Sequence, residues 1–461
     1  MARGDFYMIN FKEEVEKRKS QLIKDIETLC AIPSVYDDKT IAVNQPYGES
    51  CRKALDAMLE MGKRDGFAVY DDNGYAGHID IGEGERAFGI LGHLDVVPVN
   101  PQGWNSDPFH VVQQDGKLYG RGVADDKGPL LAGYYAAKII HDLKLPVSKK
   151  IRVIFGCDEE RGSSCVKHYF TNNPFPDMGF TPDAEFPVVY GEKGMIGFKI
   201  SGHKEKNGLI AMIAGERANI VPEECVAIVE GSPKKYEESF KTFLANHKVT
   251  GTLEEEGNCT KLILKGKGAH ASLPEEGINS VALMSQYLKT IVNNDFVTFI
   301  VNHLNDYYGK GLGIDFEGEM GKLTMNLGIL KYVKEEGSIS LDLRCPHEVN
   351  LEQIANDVEE LCAKAGFNCE SSITQPLYVD PNSELIQKLH KAYVEVSGDN
   401  SEPQAIGGGT YAKSMPNCVA FGCEFKDEDN AIHGNNENIK IESLLKSTEI
   451  FAKAIYDLIK E

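Results

Sequence analysis

Short apolar runs that stop abruptly at a histidine or an acid constrain this chain more than any other feature. Residues 87–91 are strand-like and mostly apolar; Gly92 follows, then His93, with Asp95 two positions on. Residues 151–155 form a second such run and lead through Gly156-Cys157 into Asp158-Glu159-Glu160. Another acid, Asp183, precedes the strand expected at 188–190. Short continuous apolar runs suit strands buried on both faces, as in a parallel sheet covered by helices. Ligands of such open α/β sheets collect beyond the carboxyl ends of the strands.

The rest of the chain fits around these runs. Helices are expected over 11–30, 49–65 and 130–143, with Pro129 suited to a helix start. Strands are expected over 67–70 and 75–80, either side of the Asp72-Asn73-Gly74 turn. Near Tyr190 the texture changes. Strands at 195–201, 209–213, 259–265, 322–330 and 338–344 alternate apolar and polar residues, interleaved with helices near 234–245, 279–292 and 351–365. The α/β texture then returns with a helix at 384–396, a glycine-rich loop at Gly407–Thr410, a strand at 418–423 and a closing helix at 439–459. This pattern predicts an α/β domain of residues 1–190 and 381–461, with a mixed, mostly parallel sheet flanked by helices. Residues 191–380 are expected to form an inserted α+β domain of two β-α-β-type units.

Composition narrows the function classes. Seventy acidic against 49 basic residues give a net charge of −21, which repels phosphate backbones; no basic run offsets it, so a nucleic-acid partner is not expected. No stretch approaches the ~18 unbroken apolar residues of a membrane span. The N-terminal twelve residues lack the apolar core and cleavage site of a signal peptide. Eleven cysteines, scattered and without a Cys-x-x-Cys pair, read as free thiols of a reducing, cytoplasmic environment rather than a disulfide framework.

His93, Asp125, Glu159, Glu160, Asp183 and His433 all fall in predicted loops. Taken singly, each is an ordinary loop residue. Together, two imidazoles and four carboxylates without a thiolate suit a divalent ion with nitrogen and oxygen ligands: zinc first, then manganese or cobalt. Six groups are enough for two sites sharing a bridging carboxylate, an arrangement used to activate water in hydrolysis.

Four segments carry a resemblance. Gly92-His93-Leu94-Asp95-Val96-Val97-Pro98, Gly120-Arg121-Gly122-Val123-Ala124-Asp125-Asp126-Lys127-Gly128, Asp158-Glu159-Glu160-Arg161-Gly162-Ser163 and His433-Gly434-x-x-Glu437 occur in order over nearly the whole chain. They resemble the dinuclear-zinc aminoacylase, carboxypeptidase G and dipeptidase family, and length and the large insert resemble its bacterial dipeptidases most. The resemblance implies two zinc ions per chain, with manganese or cobalt as substitutes. His93 and Asp183 would hold one ion, Glu160 and His433 would complete opposite metals, and Asp125 would bridge the pair. Asp95 would orient His93, and Glu159 would be the general base and acid.

By the same resemblance the insert is a lid. His270, in Gly266-Lys267-Gly268-Ala269-His270, would stabilise the oxyanion, assisted by Asn219. Arg344 would capture the substrate carboxylate in bidentate fashion, together with backbone amides of Gly408, Gly409 and Thr410. The implied activity is hydrolysis of unblocked dipeptides by a cytoplasmic monomer. The alternatives are an N-acyl amino acid deacylase, of the desuccinylase or acetylornithine deacetylase type, and an inactive peptide- or metal-binding relative. Asp183, where the family's deacylases tend to carry Glu, favours the dipeptidase, and retention of Glu159 argues against an inactive relative.

Overall fold

A computed structural model describes residues 9–461; the first eight residues of the stretch expected to lack a signal peptide lie outside the described residues. Two compact units divide the chain. The first comprises residues up to Gly191 with Val379–Gln404 and Gly409–Glu461, the second Glu192–Tyr378 with Ala405–Gly408.

The first unit is built on a sheet whose strands run in the order Ala68–Asp71, Ala76–Ile81, Lys150–Gly156, Ala87–His93, Met178–Thr181, Cys418–Ala420 and Val189–Glu192. The four inner strands from Lys150–Gly156 to Cys418–Ala420 are parallel. Those outward of them pair antiparallel, so the sheet is mixed with a parallel centre. Parallel register sets His93 beside Gly156 and Ile90 beside Phe180. The segments leading to Glu159, Glu160 and Asp183 therefore leave the sheet at the same end as His93. His93 is itself the last residue of its strand rather than the first of a loop.

The helix Lys127–Asp142 is buried along nearly its whole surface, packing against that centre and against Phe11–Cys30 and Ile441–Ile459. Pro129 falls in its first turn, where a missing N–H costs no intrahelical bond. Glycine at position 92 is a packing requirement: a Cβ there would run into the Asp126 carboxylate and Leu130. The strand expected at 418–423 ends at Ala420. Gly422, at φ 76°, redirects the chain so that Cys423–Glu424 pairs in parallel with Ala184–Glu185.

The second unit contains one eight-stranded sheet, antiparallel throughout. Its order is Thr250–Glu256, Cys259–Lys265, Glu224–Glu230, Leu209–Ala214, Thr324–Val333, Glu336–Cys345, Gly194–His203 and Asn368–Thr374. Alternate residues such as Ile196, Phe198, Ile200 and Leu341 form a core with Phe240, Tyr287, Phe296 and Val358 of its helices. The two β-α-β halves thus merge edge to edge into a single sheet.

Candidate metal centre and surrounding groups

His93 is fully buried and fixed from two directions. Its backbone N–H donates to Asp126 Oδ2 at 3.0 Å, and its Nδ1 lies 2.9 Å from the Asp95 carbonyl oxygen. A carbonyl only accepts, so Nδ1 carries the proton and Nε2 the lone pair. That lone pair faces acceptors: Asp125 Oδ1 stands 2.9 Å away and Asp183 Oδ2 3.5 Å away. Yet Nε2 makes no hydrogen bond among the described residues.

Asp125 divides its oxygens. Oδ1 turns to His93, while Oδ2 lies 2.9 Å from Nε2 of His433. Glu160 Oε1, also without a hydrogen-bond partner, stands 3.3 Å from the same nitrogen. Potential ligand atoms of His93, Asp125 and Glu160 lie within 4.8 Å of one another, as do those of His93, Glu159 and Asp183. Buried lone pairs pointing at each other are what a divalent cation satisfies, and the donor set fits a pair of such ions.

The electrostatics ask for positive charge. Burial opposes protonation of His93, but Asp125, Asp183 and Asp95 outweigh it and hold that ring well above its ordinary range. Asp125 and then Glu160 hold His433 up at about 10. Burial, despite the adjoining imidazoles, pushes the carboxyls of Glu160 and Asp183 up. Glu159 is held well above its ordinary range, by burial first and by Asp183, Asp95 and Glu160 next.

Asp95 does not orient His93 through its carboxylate, which stands 3.6 Å from Nδ1. The main-chain carbonyl does that. The carboxylate accepts the amides of Glu159 and Glu160 instead, each at 3.2 Å. Asp126 and Glu437 lie inside the Gly120–Gly128 and His433–Glu437 motifs, but nothing in residue type alone distinguishes them from their neighbours.

In the second unit His270, Arg344 and Gly407 come together. His270 Nδ1 accepts from the Ser272 hydroxyl at 2.7 Å and the Ser272 amide at 3.3 Å, which leaves Nε2–H as a donor. Burial, then the Arg344 charge, lowers its pKa and keeps the ring neutral. The side chain borders a cavity of about 670 Å³ with Lys193, Tyr308 and Gly408. Arg344 departs from expectation. Its fork is taken by Asp342, at 2.6 and 2.9 Å, and Nη1 also donates to the Gly407 carbonyl at 2.8 Å. Asp342 lies two residues away on the same strand face, so it reaches the guanidinium before any ligand can; of five N–H donors, two are left. Asn219 is on an exposed loop held by Asn326, which donates to the carbonyls of Ala218 and Ile220. Gly408 belongs to the second unit, Gly409 and Thr410 to the first.

The profile of peptidase family M20/M25/M40 matches residues 89–457. Proteins named "putative dipeptidase" in Staphylococcus haemolyticus and Bacillus subtilis are each 37% identical over 98% of this chain and their own full length. Among solved structures, the dipeptidase Dug1p of Saccharomyces cerevisiae superposes with a TM-score of 0.59 at 14% identity, covering 97% of both chains. The aminoacylhistidine dipeptidase of Vibrio alginolyticus gives 0.59 at 14% identity over 95% of this chain and 96% of its own. At that identity the two structures establish a shared fold.

Proposed function

Since this chain belongs to peptidase family M20/M25/M40, we propose that it is a dinuclear metallo-dipeptidase hydrolysing dipeptides with a free amino group. The observation that carries this reading is the division of Asp125 between His93 and His433, with the half-buried Glu159 close to His93 and Asp183. His93 and Asp183 would hold one divalent ion and Asp125 both; since Glu160 Oε1 stands 3.3 Å from His433 Nε2, these two would share the other ion, where the resemblance put them on opposite metals. Zinc suits the donors first, manganese or cobalt next. Such a pair, when bound, supplies an activated water and polarises the scissile carbonyl.

Glu159 takes the proton of the attacking water and returns it to the leaving amine nitrogen. A carboxylate with a raised pKa is suited to both directions. His270, neutral and donating through Nε2, contributes a hydrogen bond to the charge that develops on the carbonyl oxygen; Asn219 assists it. Arg344 gives the substrate carboxylate one charge-assisted bond rather than a fork, with the backbone of Gly408, Gly409 and Thr410 as further donors. Asp183 pairs with the substrate ammonium as well as its ion. The same reading has the enzyme acting as a cytoplasmic monomer. No helix among the described residues is long and apolar enough to cross a membrane.

The test is chromatographic. Alanine- and leucine-containing dipeptides are incubated with the purified protein beside their N-acetyl and N-succinyl counterparts. Faster hydrolysis of the acylated compounds would replace the dipeptidase with a deacylase.

A further inference from the structure

Glu437 is fully buried, and its carboxylate accepts four hydrogen bonds from the segment that ends on Asp125. Arg121 Nη1 donates to Oε2 at 2.6 Å, and the amides of Gly122, Ala124 and Asp125 converge on Oε1 at 3.0, 2.9 and 3.1 Å. The main chain continues the clamp: Gly120 N–H donates to the Glu437 carbonyl at 3.0 Å, and Asn438–Lys440 pairs with Lys117–Tyr119. Arg121 Nη2 also reaches the carbonyl of Gly434, next to His433, at 3.0 Å. His433 itself has φ 61°, a left-handed conformation that a non-glycine residue holds only when its surroundings enforce it. Two segments more than 300 residues apart in sequence are thus locked together within four residues of His433 and at Asp125 itself.

The His93 side is held by other means. Its ring is fixed by the Asp95 carbonyl and its amide by Asp126, and neither contact involves Glu437. Resting on the metallopeptidase reading, we propose that Glu437 is a positioning residue that fixes Asp125 Oδ2 against His433 Nε2 and so sets how tightly the His433 side of the centre holds its divalent ion. Groups that orient ligands from behind typically change metal affinity 10- to 100-fold when altered.

The experiment titrates metal-free protein with Co²⁺ alone, followed by calorimetry and visible absorption. Wild type should take up Co²⁺ in two steps, and His433→Ala identifies which step belongs to the His433 side. Glu437→Gln keeps the volume and one acceptor for the three amides but sets N–H donors against the Arg121 guanidinium. It should weaken that same step by about 10- to 100-fold and leave the other step and its spectrum unchanged. Arg121→Lys, which loses the contact to Gly434, should give the same selective loss. Equal weakening of both steps, no weakening, or failure of both variants to fold would make the clamp a scaffold element and overturn the proposal. A wild-type protein that takes up no Co²⁺ would instead remove the metallopeptidase reading, and this assignment with it.

Discussion

Asp95 holds Glu159 by the main chain: Oδ1 accepts the Glu159 amide at 3.2 Å, and Oδ2 accepts its neighbour's at 3.2 Å. The backbone under the proposed base is therefore anchored while its carboxyl is left for chemistry. Glu159→Gln should lower kcat by about 10²- to 10⁴-fold, the usual range for losing a general base. Elemental analysis should find the metal content of the variant unchanged. A near-normal rate would pass the proton-transfer role to another acid.

Chelation gives a second expectation. Exhaustive treatment with a chelator should abolish dipeptide hydrolysis, and zinc, manganese or cobalt should restore it, with up to two ions per chain at saturation. Full turnover by protein shown to be metal-free would end the dinuclear reading.

Asp183 is expected to govern the substrate amine. An opposite charge ~4 Å from an ammonium is worth up to about 4 kcal/mol at an effective dielectric of 20, before desolvation. N-acetylation of a dipeptide should therefore depress kcat/KM strongly. Asp183→Glu, with one added methylene, should keep its metal but narrow the gap between free and acetylated substrates. An unchanged ratio would free Asp183 of that second role.

Asp80 makes the pH dependence of the first unit testable. Burial raises its pKa, but the Arg152 fork at 2.7 and 2.9 Å and Lys150 at 2.8 Å outweigh this and hold it at about 2. An unfolded aspartate titrates near 3.9, so this stabilisation is present above about pH 4 and is lost as pH falls through 2. Asp80→Asn should lower stability in urea at pH 7 by roughly 1–2 kcal/mol, after allowance for partial solvent screening. The difference from wild type should shrink below pH 4; a gap that stays constant to pH 2.5 would show that the charge is not its source.

What could be read in the sequence followed burial. The strands at Ala87–His93 and Lys150–Gly156 and the helix Lys127–Asp142 are apolar because both faces or most sides are covered. Each was therefore visible as a run. Thr250–Glu256 and Asn368–Thr374 carry no such signal, because they are sheet edges of mainly exposed polar residues, strands only by virtue of a neighbour's ladder. Glu224–Glu230, with Cys225, Ala227 and Val229 inward, is legible by alternation although it is not among the strands expected above, and the helix Asp295–His303 is likewise an addition to the expected elements. In the centre, residue type disclosed which groups could bind an ion. It could not disclose that Asp95 serves by its carbonyl, or that Asp342 occupies Arg344, since both depend on distances between atoms that sequence does not order.

The position of Cys418–Ala420 in the first unit's sheet has a consequence for synthesis on the ribosome. This strand lies between Met178–Thr181 and Val189–Glu192, so nascent chain up to Gly191 emerges with a gap inside its sheet. Every strand of the second unit's eight-stranded sheet lies between Gly194 and Thr374, and that sheet can close while the first still waits. At 5–20 residues per second, the stretch from Gly191 to Ala420 takes roughly 10–45 s to appear. During that interval Met178–Thr181 offers one unpaired edge to chaperones or to another nascent chain. The segment that fills the gap is also the one that leads on to His433 and brings it to Asp125.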